Sequence, residues 1–310
     1  MAMRTLVVTA VNEAFMPLLR GLVDSLRQWE PRPFNDLACF DLGLAPESRR
    51  WIERMATHVV EPEWDLPVDG KLRQDQPELR ALTVRPFLPR YFPGYDIYLW
   101  IDADAWVQDR FALEWLLAAA AAGRLAAVPQ VHHAYLQTEE SFNWRMQRMQ
   151  AYFGQEGGRR LLWNTYFNAG VFALGSDAPH WAVWAKWFDL GLKAADGKLC
   201  CDQTALNQAI WMERLAVTPL PALCNWLCHL ALPRFDVMRR KFCEPNAPGL
   251  PIGILHLSAN SKDTYLQLRG KNRGHKVGLR FPGSEQHLQT ASICLPSDFK
   301  ITGSPGSDTC

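Results

Sequence analysis

An apolar run that ends in two carboxylates constrains this chain most tightly: Leu99-Trp100-Ile101-Asp102-Ala103-Asp104. Tyr95 to Asp104 reads as a buried strand running into two acids, and residues two apart on a strand share a face. Asp102 and Asp104 therefore project together. Burying two unpaired carboxylates is costly, so the strand must end at water or at a cation. Hard oxygen ligands of this kind suit Mg²⁺ or Mn²⁺, which keep open positions for phosphate oxygens. The plainer reading is a solvated strand end with Asp in a turn. In open α/β sheets, however, ligands gather at the carboxyl ends of strands, where this pair falls.

The flanking segments predict such a sheet. Thr5–Ala10 is a short β-branched run. Phe15 to Trp29 places Phe15, Leu18, Leu19, Leu22, Val23 and Leu26 on one helical face, and Pro31 and Pro33 stop it. A strand at Leu37–Leu42, a helix at Pro46–Met55 and a strand at His58–Val60 follow. This β-α-β-α-β alternation predicts an α/β doubly wound sheet. Residues 61–80 read as a loop and Thr83–Arg90 as one helix. Further along come a helix at Leu113–Ala122, a strand near Leu125–Val128, helix around Phe142–Tyr152, a strand at Phe167–Leu174, helices at Trp181–Leu192 and Asp202–Trp211, and a last strand at Ile252–Leu257.

Composition then excludes several classes. Apolar residues make up 48% and charged residues 21%, so the chain folds. Lys and Arg number 33 against 32 Asp and Glu, a balance that supplies no bulk field for nucleic acid. No apolar run reaches the roughly 18 residues of a membrane span. The start carries no signal-peptide pattern, and eight Cys in 310 residues is too sparse for a disulfide scaffold. The expected compartment is the cytoplasm, with peripheral contact at the inner face of the membrane. Residues 234–280 hold ten Lys and Arg against three Asp and Glu. Such a patch suits a diphosphate, and also anionic lipid.

The Asp-x-Asp segment resembles that of GT-A glycosyltransferases, especially the retaining glycosyltransferase family 8. Other pieces match in order. Tyr166-Phe167-Asn168-Ala169-Gly170-Val171 is similar to the family's YFNAGV segment, and Asp202-Gln203-Thr204-Ala205-Leu206-Asn207 to its DQDxLN helix start. Leu220-Pro221 with Asn225-Trp226 resembles LPxxYN, and His256-Leu257-Ser258-Ala259-Asn260-Ser261-Lys262 the C-terminal HFxGxxK. Thr9-Ala10-Val11-Asn12-Glu13-Ala14-Phe15 resembles TAxDxxY. Arg85 sits where the family carries an Arg on the helix before the Asp-x-Asp strand. The resemblance spans Thr5 to about Lys262. It implies one GT-A (Rossmann-like) domain over residues 1–282, a mostly parallel sheet flanked by helices. The donor-binding half covers about 1–130 and the acceptor- and diphosphate-closing half about 131–282. Residues 283–310 are polar and are expected to be a disordered tail.

The implied activity is metal-dependent transfer of a sugar, with retention, from a UDP-sugar to an acceptor hydroxyl on a glycan, a lipid-linked glycan or a protein. It is a hexosyltransferase type of reaction suited to polysaccharide synthesis, without nucleic-acid partners. The implied metal set is Asp102, Asp104 and His256, where an imidazole favours Mn²⁺ over Mg²⁺. Lys262 is a point charge for the diphosphate. Ala259 stands where the family has Gly, and it can still offer its N–H if φ stays negative. Asn12, in place of Asp, and Phe15, in place of Tyr, face the base beside Thr9. Asn168, Ala169 and Gly170 line the sugar's floor. Asp202 and Gln203 hold sugar hydroxyls near the reacting carbon, and Arg85 bridges the metal-side carboxylates and the donor. Asp202 also suits an N-cap, Phe15 a first helical apolar residue, Arg85 a surface helix arginine and His256 a paired core histidine. Retention is associated in the family with same-face attack, so Asp202 is assigned positioning and not covalent catalysis.

Three alternatives stay open. A sugar nucleotidyltransferase would carry a Gly-rich loop after the first strand, and Thr9–Phe15 has no glycine. An inverting GT-A glycosyltransferase needs a positioned carboxylate base. A non-catalytic sugar-nucleotide-binding module would show a degraded Asp-x-Asp or lack His256. Cys224, Cys228, His229 and Cys243, and separately His132-His133, carry metal-ligating chemistry, but the surroundings of the cysteines read as apolar packing. Trp106, Trp144 and Trp163 are candidate platforms for sugar rings.

Overall fold

The computed structural model describes residues 3–268 and 275–282. The expected tail, 283–310, lies outside the described residues.

The first strand, β1 (Thr5–Val11), is buried almost throughout. Its odd and even residues feed two different cores, as the two-residue period of a strand requires: Val7 and Val11 on one side, Leu6 and Val8 on the other. A short 3₁₀ turn capped by the Asn12 side chain leads into α1 (Met16–Arg27). Pro17 lies in its first turn, where a missing N–H costs nothing. Its apolar stripe, Leu19, Leu22, Val23 and Leu26, packs against the Val7 face. Next come β2 (Asp36–Asp41), α2 (Pro46–Met55) and β3 (His58–Val60).

Residues 61–80 are not a plain loop. They carry α3 (Gly70–Asp75), whose first N–H groups are taken by the Asp69 carboxylate, and a 3₁₀ turn at Pro77–Leu79. The helix expected over Thr83–Arg90 is broken into α4 (Arg80–Val84), a 3₁₀ turn at Arg85–Phe87 and α5 (Leu88–Tyr91). Pro86 and Pro89 each remove a backbone donor, which a continuous helix cannot absorb.

The acid-ended strand is β4 (Ile97–Ile101), and it stops one residue before Asp102. Ala105 N–H then donates to Asp102 O at 2.9 Å, so the two acids sit on a tight turn and not on an alternating strand. The chain continues through β5 (Ala105–Val107), α6 (Phe111–Ala121), β6 (Leu125–Pro129) and α7 (Glu139–Leu162), which kinks at Gly154 with φ 68°. Then follow β7 (Phe167–Gly175), α8 (His180–Ala194) and α9 (Asp202–Met212). The remaining strands are short: β8 (Val217–Pro219), β9 (Trp226–Leu227), β10 (Arg234–Asp236), β11 (Lys241–Cys243), β12 (Ile254–His256), β13 (Tyr265–Leu268) and β14 (His275–Gly278). Strands β8 to β11 carry too few residues for an alternating pattern to be read from sequence.

The central sheet has seven strands in the order β3-β2-β1-β4-β7-β6-β8. Strands β1 to β4 are mutually parallel, β7 runs antiparallel to both β4 and β6, and β8 is parallel to β6. The chain moves outward from β1 to β3 and then returns to place β4 on the other side of β1. That reversal opens a crevice at the carboxyl ends of β1 and β4. A small sheet, β5-β12-β9, lies beside that edge. No helix among the described residues is long and apolar enough to cross a membrane.

Candidate active site

Two strand pairings assemble the site. Because β7 is antiparallel to β4, its first residues meet the end of β4, and Asp102 N–H donates to Gly170 O at 2.8 Å. Because β12 pairs with β5, His256 lies opposite Ala105, and Leu257 N–H donates to Asp104 O at 2.8 Å. Asp102, Asp104, Gly170 and His256 thus come together from three separate segments.

Asp102 is held from below. Trp100 Nε1 and Arg85 Nη2 both donate to its Oδ1, at 2.7 and 2.5 Å. Arg85 Nη1 donates to Asp202 Oδ2 at 2.6 Å, and the guanidinium carbon lies 4.7 Å from the Trp100 ring centroid. Arg85 is buried, at 6% exposure, and is a clamp between two carboxylates, not a surface helix arginine. Asp202 opens α9 but does not cap it: Cys201 holds the cap position, and the Asp202 carboxylate turns inward to Arg85.

Asp104 faces two cations. Lys262 Nζ lies 2.9 Å from its Oδ2 and His256 Nε2 3.3 Å from its Oδ1, while His256 Nε2 is 3.8 Å from Asp102 Oδ2. Burial works to raise the Asp104 carboxyl, but His256 and Lys262 outweigh it and hold it at about 2. For Asp102 burial wins, and its carboxyl is raised despite Arg85. His256 is pulled down by burial and pushed up more strongly by Asp104 and Asp102, so its net shift is upward.

The tautomer of His256 follows from a chain of hydrogen bonds whose polarity is set by backbone donors. Gly170 N–H donates to Asn168 Oδ1 at 2.9 Å, and Ala169 N–H to Gln203 Oε1 at 3.0 Å. Asn168 therefore turns its Nδ2 to Gln203 Oε1, at 3.0 Å. Asn225 Nδ2 donates to Asn168 Oδ1 at 2.8 Å, which leaves Asn225 Oδ1 to accept from His256 Nδ1 at 2.9 Å. With Nδ1 protonated, the lone pair of a neutral ring sits on Nε2, facing the two acids. Asn225 was visible in the sequence only as part of a motif match, and Trp100 only as a strand residue; their roles come from the fold.

These donors fit a divalent cation. One ligand atom from each of Asp102, Asp104 and His256 lies within 4.8 Å of the others. Two hard oxygens and an imidazole nitrogen fixed in the right tautomer by its outer partner are what such an ion needs. Gly170 keeps the space clear: a Cβ there would lie 2.5 Å from Asp102 Oδ2 and 2.5 Å from His256 Cε1.

The other expected residues divide. Gln203, Asn168, Ala169 and Lys262 join the cluster. Lys262 Nζ also lies 5.3 Å over the Phe15 ring, bringing Phe15 to the edge of the site. Asn12 accepts the Phe15 N–H at 3.2 Å, so it is a cap at the sheet's edge. Ala259 takes φ 51°, in place of the negative φ expected, and so bears the left-handed conformation that glycine adopts without strain. Thr9 is fully buried in β1, and its hydroxyl has no hydrogen-bond partner among the described residues. Trp106 is buried with Nε1 on Leu279 O, so it offers no platform for a sugar.

The second histidine cluster is built for a hydrogen bond. Ala134 N–H donates to His132 Nδ1 at 3.2 Å, which places the proton on Nε2, 3.2 Å from the buried Glu244 carboxylate. A metal on Nε2 would need that proton on Nδ1 instead, against the Ala134 donor. Cys224, Cys228, His229 and Cys243 form no ligand cluster among the described residues.

The family model described as glycosyl transferase family 8 matches residues 6–183, more than half of the chain. Among solved structures, the galactosyltransferase LgtC in complex with donor and acceptor sugar analogs is similar at TM-score 0.52 and 16% identity, covering 83% of this chain and 88% of that one. An active-site mutant of LgtC is similar at TM-score 0.52 and 16% identity, covering 82% and 87%. The WbbM bifunctional glycosyltransferase is similar at TM-score 0.54 and 13% identity, covering 85% of this chain and 48% of that one. At these identities the structural likeness establishes the fold alone. No curated protein matches the sequence.

Proposed function

The chain belongs to glycosyltransferase family 8 and is a glycosyltransferase, and from that premise we propose that it is a metal-dependent enzyme moving a sugar, with retention, from a UDP-sugar to an acceptor hydroxyl. The observation that carries this reading is the convergence of Asp102, Asp104 and His256 on one point, with His256 Nε2 turned to that point by Asn225. Asp102, Asp104 and His256 would hold Mn²⁺ or Mg²⁺, which supplies Lewis acidity toward the charge growing on the leaving diphosphate.

The chain's own residues complete the chemistry. Lys262 adds a point charge beside Asp104 for a diphosphate oxygen. Gln203 has its Oε1 occupied by Asn168 and Ala169, so its Nε2 is the group it can offer a sugar hydroxyl. The small side chains of Ala169 and Gly170 leave room for the sugar ring. Asn12, Phe15 and the first turn after β1 form the base end, and Lys262 the phosphate end; Ala259, with φ 51°, lacks the negative φ on which its N–H contact depends. Asp202 is charge-paired with Arg85 at 2.6 Å. A carboxylate held that way is a positioning group and a poor nucleophile, which favours same-face attack over a covalent intermediate. The acceptor is a glycan or glycoconjugate hydroxyl, and the proposed setting is the cytoplasmic face of the membrane.

The test is a screen of nucleotide-sugars for hydrolysis and transfer with and without Mn²⁺, with product anomers assigned by NMR. Metal-stimulated turnover of a UDP-sugar, lost in Asp104→Ala while the circular dichroism spectrum stays that of the parent, is expected. Undiminished activity of that variant would remove the metal assignment, and an inverted anomer would remove retention.

A further inference from the structure

A cavity of about 470 Å³ opens away from the metal carboxylates, between the β10–β11 hairpin, the end of β5 and β14. None of the proposed donor-binding or metal residues lines it. Four cations do, Arg239, Arg240, Lys241 and Lys276, and no carboxylate does. Lys241 is paired with Asp109 at 2.6 Å, and Arg239 lies 3.9 Å from Asp236. Arg240 and Lys276 have no carboxylate partner among the described residues.

Aromatic residues form part of the wall. Phe242 packs edge-on against Trp106 and Phe235, with centroids 6.0 and 5.1 Å apart. Phe242 and Trp106 are 2% and 5% exposed, so neither presents a ring face for a base to stack on. At the turn of the same hairpin, Val237 and Met238 stand 46% and 80% exposed, directly before the two arginines. A lone exposed apolar residue is ordinary. Two adjacent ones at a hairpin tip, bordered by cations that lack acidic partners, match an interface with an apolar interior and an anionic surface.

We propose that this face docks on a membrane carrying anionic phospholipid, with a lipid phosphate held in the cavity by Arg239, Arg240 and Lys276 and the Val237–Met238 tip entering the headgroup layer. Nucleic acid is disfavoured because the exposed groups at the tip, Val237 and Met238, are aliphatic, and Trp106 and Phe242 are buried. A free phosphate would leave the exposed tip without a role. A membrane uses both halves, and attachment by charge and apolar insertion together is the arrangement that holds a protein without a lipid anchor.

The test is co-sedimentation of the full chain with vesicles of phosphatidylcholine alone and of phosphatidylcholine with phosphatidylglycerol, at low and high salt. Binding is expected only to the anionic vesicles, weakening as salt rises. The triple variant Arg239→Glu, Arg240→Glu, Lys276→Glu should lose at least about a hundredfold in apparent affinity, since loss of each cation near the surface costs about 1 kcal/mol and the reversed charge costs more. Val237→Ser with Met238→Ser should also bind more weakly. Both variants should hydrolyse the soluble sugar donor as the parent does, which shows that they fold. Failure of the parent to sediment with anionic vesicles, equal binding to neutral ones, or unchanged binding by the triple variant overturns the proposal. Release by inorganic phosphate with no effect of the Val237 and Met238 substitutions would assign the cavity to a soluble phosphate and overturn it equally.

Discussion

Asn225 Oδ1 accepts the Nδ1–H of His256 at 2.9 Å, while the Asn225 Nδ2 donates to Asn168 Oδ1 at 2.8 Å. One amide therefore links Asn168, on the proposed sugar floor, to His256, a proposed metal ligand, and fixes which ring nitrogen faces the acids. Outer partners of this kind typically change metal affinity by about 10–100-fold when removed. Asn225→Ala should weaken Mn²⁺ binding to that extent in calorimetric titration, with the circular dichroism spectrum unchanged. Asn225→Asp keeps an acceptor for Nδ1–H but sets its second oxygen against Asn168 Oδ1, so it should recover only part of the affinity. Equal Mn²⁺ affinity in all three proteins would show that the imidazole needs no such fixing.

Arg85 joins two carboxylates in a place where its side chain is 7% exposed and that of Asp202 is 4% exposed. Removing one partner of a buried pair leaves an uncompensated charge and costs about 3–5 kcal/mol. Arg85→Ala should lower the urea-unfolding free energy on that scale. Arg85→Lys should recover little of it, because a single ammonium cannot serve both acids in the fork geometry. A loss under about 1 kcal/mol for the alanine variant would mean that water already compensates both acids.

His256 and Asp104 give the metal-free protein a pH signature. The His256 pKa is raised, so its contribution to stability is fully present below the ordinary imidazole value and is lost as pH rises through the raised value. The Asp104 pKa is lowered to about 2, so its contribution is present above the ordinary carboxylate value and lost as pH falls toward that point. In EDTA, unfolding free energy should therefore decline as pH rises from the ordinary imidazole value through the raised value of His256. Saturating Mn²⁺ should reverse the slope there, since the ion needs Nε2 unprotonated. Urea midpoints across the pH range, with and without EDTA, check this, and His256→Gln should remove the metal-free slope.

Gly170 leaves free the volume that the proposed metal ligands occupy, since a methyl group at this position would lie only 2.5 Å from both Asp102 Oδ2 and His256 Cε1. Gly170→Ala should displace those two side chains and reduce Mn²⁺ affinity by at least about tenfold. Native affinity in this variant would show that the acids and the imidazole can shift apart and still ligate.

Ala259 holds φ 51° on the turn before Lys262. The left-handed conformation costs a non-glycine residue about 1–2 kcal/mol, and glycine gives back about 0.4–1 kcal/mol through the unfolded chain. Ala259→Gly should thus stabilise the protein by up to about 1 kcal/mol in urea titration. A destabilised variant would show that the methyl makes a compensating contact.

Much of this molecule was legible from local pattern. The period of α1, the proline start of α2 and the apolar run of β4 are written in consecutive residues, so their positions agree with the pattern to within a few residues. The single helix expected at Thr83–Arg90 is not formed, because two prolines interrupt its ladder and leave Arg85 on a 3₁₀ turn. The two acids converge through a turn after Ile101 and not by strand alternation. Asn225 escaped assignment because nothing near it in the chain says that its amide will meet both Asn168 and His256.

The residues themselves determined the chemistry available: a strand ending in acids, a histidine and lysine near the C-terminal end, and amides beside small residues, in an order that resembles one enzyme family. Only the tertiary structure decided that these pieces meet. The antiparallel sense of β7 against β4 brings Gly170 to Asp102, and the pairing of β12 with β5 brings His256 to Asp104. Strand direction and partner are chosen by contacts between segments distant in sequence. Local hydrophobic period, which is all that neighbouring residues encode, is the same whichever way a strand runs.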